Sequence, residues 1–291
     1  MEWYEDWMRN RSETYNKKHE EFYAQPSTEF IEPFRIADDL YYVGDRLVCI
    51  HLIRTEEGLI LLDAGYPCAK HLLMESILRL GFYPKDVKWI ILTHAHSDHF
   101  GASNEFRNLY GTKVALSAAD AQSIREYPFR ASSSPTLKLP VIDKEIADGE
   151  IFSFGGKEIR CVLTPGHTLG VMSFFFNVTD QGKTYLAGLY GGAGVAALRL
   201  PYALHFKLPH DMAQRMIASL DRVEAEPVTV HLGNHPYNNH TLEKREKQLK
   251  EGGNPFIDPA SWPSFVEDIR QKSLKIAEEN AALEKQYCIG E

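Results

Sequence analysis

KWIILTHAHSDH, Lys88 to His99, joins an apolar run to three histidines and an aspartate set within six positions. The run is short and continuous, the pattern of a strand buried on both faces. Side chains at the carboxyl end of such a strand, just ahead of a helix, converge in a crevice of an α/β sheet. Imidazole and carboxylate are zinc ligands, and a catalytic zinc keeps one position for water. His94 and His96, two apart in an extended loop, point the same way at one metal. Asp98 and His99 lie beyond the turn and face a second. A surface histidine cluster or adventitious metal site is the plainer alternative, and the density of the motif argues against it.

Outward from this stretch the chain alternates strands and helices. Upstream, Ile36 to Asp63 reads as strands (LYYVG, LVCIHLIRT, GLILLD) broken by GDR and EEG turns, and His71 to Gly81 has helical spacing that stops at a glycine. Downstream come a helix from about Gly101 to Tyr110, strand KVALS, a helix from about Ala118 to Glu126 and the loop ASSSPTLKLP. Strands DGEIFSF, KEIRCVLT, VMSFFFNV and KTYLAG follow, then the irregular, glycine-rich Gly191–Pro209. A helix from about Asp211 to Val223, strand PVTVHLG, and helices from about Thr241 to Glu251 and Ser264 to Tyr287 close the chain. Two halves, each mixing strands with later helices, predict an α/β layered sandwich: two mixed β-sheets packed face to face, helices on both outer sides. Residues 1–24 read as a polar helix with Trp3 and Trp7 on one stripe, leading into an extended linker between Pro26 and Pro33. We therefore expect an N-terminal helical extension over residues 1–32 and one domain over 33–291.

Composition narrows the function. With 291 residues, 44% hydrophobic and 25% charged, the chain is an ordinary globular one. No apolar run approaches the roughly 20 residues of a membrane span, and the charged start lacks the apolar core of a secretory signal. The expectation is a cytoplasmic protein that engages no membrane. A formal charge of −8 disfavours nucleic acid as a partner; the one basic stretch, KREKQLK near Lys244, reads as a solvated helix face. The cysteines, Cys49, Cys68, Cys161 and Cys288, show no paired spacing and read as reduced, mostly buried thiols.

HAHSDH after a hydrophobic strand resembles the HxHxDH signature of the metallo-β-lactamase superfamily, and the likeness runs from about Phe34 to Tyr237. LILLDAGY carries the upstream strand-Asp-Gly element with Asp63, and TPGHTLGVMSFFF the element with His167. The resemblance implies an αββα sandwich. It implies two zinc ions: His94, His96 and His167 on one, Asp98 and His99 on the other. A last histidine should follow the final strand; His235, in a loop able to swing inward and followed by Pro236, is preferred over His231, with His240 assigned to the next helix. Asp63 is expected to orient a ligand through its N–H rather than merely end a strand. One position departs from the family: where hydrolases of thioesters, acyl-homoserine lactones or tRNA carry a bridging aspartate, and other lactamases a cysteine, this chain has Leu189. The set of five histidines and one aspartate is closest to the lactamase subclass lacking both.

The implied mechanism is attack of a zinc-held hydroxide on the carbonyl of a cyclic amide or ester, β-lactam-like or lactone-like. Asp98 holds the hydroxide and passes its proton. Rival readings are an iron-dependent sulfur dioxygenase of the same fold and a non-catalytic, metal-dependent binding protein. Leu198, Leu200, Tyr202 and Phe206 are candidates for the pocket wall. Residues 1–32 are as well suited to pairing two copies in a homodimer as to covering the pocket.

Overall fold

Along the strand Gly58–Leu62 consecutive side chains part company: Ile60 and Leu62 enter one buried cluster, Leu59 and Leu61 another. The same happens at Phe174 and Phe176 against Phe175. Side chains alternate across a strand, so a strand apolar on both faces must be covered on both. That requirement fixes the layering. The computed structural model describes residues 2–132 and 137–289, with backbone alone at residue 2 and over 11–19, so residues 133–136 of the ASSSPTLKLP loop lie outside the described residues.

The first sheet has seven strands in chain order: β1 (Phe34–Ala37), β2 (Leu40–Tyr42), β3 (His51–Thr55), β4 (Gly58–Leu62), β5 (Val87–Ile91), β6 (Lys113–Ser117) and β7 (Lys144–Ile146). It is antiparallel up to β4 and parallel from there on. The second has five, β8 (Ile151–Phe154), β9 (Lys157–Leu163), β10 (Met172–Asp180), β11 (Lys183–Leu189) and β12 (Val230–Leu232), with β12 joined parallel to β11 and the others antiparallel. Both sheets are mixed, as expected. Between them lies a dry layer including Ile53, Ile60, Ile91, Phe174, Phe176 and Leu232; each buried side chain of this size contributes about 1.5–3 kcal/mol.

Helices cover the outer faces. On the first sheet, α2 (Lys70–Arg79), the single turn α3 (Ser97–Phe100), α4 (Ser103–Tyr110) and α5 (Ala118–Glu126) deliver Leu73, Ile77, Phe100, Phe106 and Ile124. On the second, α6 (Leu200–Phe206) precedes α7 (Met212–Val223), and α8 (Pro236–Asn239) and α9 (Thr241–Glu251) precede α10 (Ser261–Tyr287). Helix α10 buries Trp262, Phe265, Val266, Ile269 and Ile276, spacing that makes one helical stripe, against Met212, Met216 and Leu220 of α7. The arrangement is the αββα sandwich.

The N-terminal helix α1 (Glu2–Ala24) touches the body at both ends. Trp7 meets Tyr202 edge to face, and Tyr4 Oη lies 3.3 Å from His205 Nδ1, both partners on α6; Trp3 meets Tyr287 at the end of α10. At the other end Phe22 is buried with Val48, Tyr66 and Ala69. Among the described residues no helix is long and apolar enough to cross a membrane.

Three expectations need correcting. The irregular Gly191–Pro209 stretch contains α6, with Pro201 in its first turn. Leu198 and Leu200 are not a pocket wall: both are fully buried, and the Leu198 carbonyl and Leu200 N–H bond to Asn280 of α10. Lys244 is not on a solvated face, being 9% exposed with its ammonium between Ser261 and Asp258.

Candidate metal centre

The carboxyl ends of β4, β5, β9, β11 and β12 all empty onto one rim, and each carries part of the site. After β5 the chain bends through Thr93–Ala95, and α3 begins immediately after His96, its extended N-cap. That break separates the two halves of HAHSDH. His94, His96 and His167 have ring nitrogens within 4.8 Å of one another; Asp98, His99 and His235 form a second such group. The two are adjacent, the rings of His94 and His99 being 4.1 Å apart.

In the first group the His96 Nδ1–His167 Nε2 separation is 3.0 Å, near the roughly 3.3 Å that two nitrogens keep on one tetrahedral zinc with bonds of about 2.0–2.1 Å. Two of its rings are turned by a backbone partner at the other nitrogen. His94 Nδ1–H donates to the Gly191 carbonyl at 2.9 Å, and His167 Nδ1–H to the Gly194 carbonyl at 2.8 Å. A carbonyl only accepts, so both rings keep an unprotonated Nε2 facing inward. In the second group His99 Nδ1–H donates to Asp63 Oδ2 at 2.8 Å and His235 Nδ1–H to the Leu47 carbonyl at 2.7 Å. Their Nε2 atoms face Asp98 Oδ2 at 3.4 and 3.8 Å.

The protein alone leaves this arrangement incomplete. The Nε2 atom of His94 is buried without a hydrogen-bond partner, a cost of the order of 1–3 kcal/mol that a cation would remove. Burial, reinforced by the neighbouring imidazoles, pushes His94 well below the ordinary histidine value, and burial brings His167 down to about 4. Both are therefore neutral, the form that binds metal. Burial also opposes charge on His99, but Asp98 and Asp63 outweigh it and raise the ring to about 10. Burial likewise opposes charge on Asp98, yet His99, His235 and His96 hold its carboxyl far below the carboxylate range. The second group thus has an anion that attracts a cation and now draws in a proton instead. Five imidazoles and a carboxylate fit zinc.

Asp63 sits where orientation of His99 requires it. Its Oδ1 accepts from Thr93 N–H at 2.7 Å and its Oδ2 from the Thr93 hydroxyl at 2.8 Å and from His99. Its φ of 66° is left-handed, a region aspartate tolerates better than most residues. His231 points away from the site, its Nδ1 2.9 Å from Ser261 Oγ and its ring among Trp262 and Phe265. The period of two in β12 explains this: Val230 and Leu232 take the inter-sheet face, so His231 takes the helix face. His240 is the N-cap of α9. Leu189 ends β11 inside the inter-sheet core. Asp180 and Asp211 are engaged elsewhere, by Asn254 and Arg215.

Several residues were not singled out from the sequence. Asp120, fully buried, accepts from Ala95 N–H, Gly170 N–H and the Thr168 hydroxyl, clamping the HAHSDH loop to the loop of His167. Its signal, Ser117-Ala-Ala-Asp120, reads as a helix start, and Ser117 Oγ does accept from Asp120 N–H. The Gly191–Gly194 segment supplies two ring-orienting carbonyls, and Gly191 must be glycine: a Cβ there would lie 2.1 Å from the Met172 carbonyl oxygen. Asn234 donates to the same Gly191 carbonyl. Beside His96 and His167 a crevice is walled by Ile124, Leu169, Tyr202, Phe206 and Leu208. A larger concavity by Glu57, Ser153 and Lys157 lies at the β3–β4 and β8–β9 turns, at the opposite ends of these strands and remote from the histidines.

Residues 43–180 match the model of the metallo-beta-lactamase superfamily. The chain carries a metallo-β-lactamase superfamily domain. The solved subclass B3 metallo-beta-lactamase BJP-1 of Bradyrhizobium japonicum superposes on it with a TM-score of 0.78 and 27% identity, over 88% of this chain and 97% of that one. Hydroxyacylglutathione hydrolase of Acidiphilium cryptum is 32% identical over 88 residues, 30% of either chain; the matches to the first curated relatives thus span under a third of their length. The probable polyketide biosynthesis zinc-dependent hydrolase BaeB of Bacillus velezensis is 29% identical over 193 residues, 65% of this chain and 74% of that one. The subclass B3 neighbour agrees with the likeness drawn from Leu189 and the histidine set.

Proposed function

We propose that this metallo-β-lactamase domain is a zinc-dependent hydrolase that opens a cyclic amide or ester, with His94, His96 and His167 holding one ion and Asp98, His99 and His235 a second. The observation that carries the reading is the pairing of two adjacent donor groups, four of whose five rings are turned inward by backbone carbonyls and Asp63. The names of the similar proteins, hydrolases among them, support it.

When bound, the zinc ions supply Lewis acidity toward a carbonyl and a water acidic enough to ionise near pH 7. The chain's own residues do the rest. Asp98, part-exposed on the rim, is the group that receives a proton from an attacking water and returns it to the leaving amide nitrogen or alkoxide. The apolar wall of Tyr202, Phe206 and Leu208 takes an apolar or aromatic part of a small-molecule substrate and keeps bulk water from that side. Residues 1–32 act as a separate extension, placed by Trp7 and Tyr4 over the wall formed by α6.

The test is metal analysis of the purified chain followed by hydrolysis of nitrocefin, acyl lactones, thioesters and simple esters. Two zinc equivalents with turnover of at least one of these substrates is the expected result. Iron with persulfide-dependent oxygen uptake moves the protein to the sulfur dioxygenases; bound metal with no turnover moves it to the binding proteins.

A further inference from the structure

The turn between β2 and β3 is held from within by a buried carboxylate. Asp45, 6% exposed, bears no hydrogen bond to a side chain; its Oδ1 accepts instead from Leu47 N–H and Val48 N–H, both at 2.8 Å. This two-point acceptance folds Asp45–Val48 into a tight loop, closed also by Asp45 N–H to the Val48 carbonyl at 3.1 Å and by the Tyr42 hydroxyl on the Asp45 carbonyl. Gly44 permits it: a Cβ there would lie 2.3 Å from the Val48 carbonyl oxygen. The outcome is a Leu47 carbonyl aimed out of the turn at His235 Nδ1, 2.7 Å away. A second bond, Cys49 N–H to the Asn234 carbonyl at 3.0 Å, ties the same turn to the residue beside His235. The two are 188 residues apart in sequence; locally the His235 ring stacks on Tyr237 with centroids 5.3 Å apart, a contact that makes no hydrogen bond to Nδ1 and so leaves its tautomer to the Leu47 carbonyl. A carboxylate buried this deeply is costly unless its acceptances matter.

We propose that Asp45 is a positioning residue for the second metal group, acting through the Leu47 carbonyl to fix the tautomer and tilt of His235. The inference rests on the metal-centre reading above. It assigns the turn a task that differs from that of Asp63, which orients His99 directly. Partners of this kind behind a ligand typically change metal affinity by 10- to 100-fold.

Titration of zinc into the metal-free full-length chain, followed by calorimetry, and of cobalt, followed by its visible absorption, tests it in the wild type, Asp45→Ala and Asp45→Asn. The wild type should take up two ions. Asp45→Ala should keep the first within about threefold and weaken the second by about 10- to 100-fold, with the cobalt spectrum of the second site altered. Asp45→Asn retains an Oδ1 able to accept both N–H groups and should restore the second affinity to within about threefold. Asp45→Glu keeps the charge but displaces the acceptor by one methylene; it should behave as Asp45→Ala does, and covers the case in which the alanine variant does not fold. A second ion held as tightly by Asp45→Ala or Asp45→Glu as by the wild type overturns the assignment, as does loss in Asp45→Asn equal to that in Asp45→Ala. Fewer than two ions in the wild type removes the metal-centre reading and this one with it.

Discussion

Asp98 and Asp120 are both buried or half-buried carboxylates near the histidines, and they differ in what surrounds them. Asp98 faces ring nitrogens of His99 and His235, whereas Asp120 faces two backbone N–H groups and a hydroxyl. The first is dressed for a cation, the second for structure. Asp98→Asn should therefore hold one zinc rather than two by elemental analysis and lose most turnover. Asp120→Ala leaves three donors unpaired and should destabilise the metal-free protein by about 3 kcal/mol or more in urea unfolding. Equal metal content in Asp98→Asn and wild type would remove Asp98 from the second group. The six proposed ligands were legible in the sequence because four of them share one short motif and the other two end adjacent loops. Their partners were not. Gly191 lies 97 residues from His94, and Leu47 lies 188 from His235; backbone carbonyls carry no side-chain signature at any distance.

At the scale of elements, long apolar runs announced themselves and short pieces did not. The strands carrying IILT and MSFFFNV were plain as continuous apolar runs, because both faces are largely buried. β7, with three residues, has no period to read, and α6 was hidden by the glycines before it. Those glycines are structural in a testable way. Gly191→Ala places a methyl against the Met172 carbonyl and should shift the segment that orients His94 and His167, lowering affinity at the first metal group. Unchanged zinc affinity in a folded Gly191→Ala chain would separate this segment from the site. His231 illustrates how one residue of register decides a role: its neighbours claimed the inter-sheet face, which left the imidazole to the helices.

Across the whole molecule, acid should be the condition that exposes the weak points of the sandwich. His51 and His231, outside both metal groups, are each buried, and burial pushes them down to about 3. The folded state refuses a proton that the unfolded chain accepts below about 6.5. Their contribution to stability is thus intact above pH 6.5 and is lost as pH falls toward 3. At pH 4.5 each should cost about 2–3 kcal/mol. Urea unfolding with chelator present, at pH 7.5 and 4.5, measures this, and His231→Asn should lessen the loss of stability by about 2–3 kcal/mol; an identical dependence in the variant would refute the assignment. The αββα layering itself was readable from strand and helix order, since two doubly buried sheets admit few arrangements.

The central claim is that the two donor groups are metal positions. Anomalous scattering at the zinc edge, from crystals of the purified chain equilibrated with zinc, tests it most directly. The account predicts two peaks: one about 2.0–2.2 Å from His94 Nε2, His96 Nδ1 and His167 Nε2, the other at the same distance from Asp98, His99 Nε2 and His235 Nε2. No peak at either group, or zinc bound only elsewhere on the surface, would contradict it.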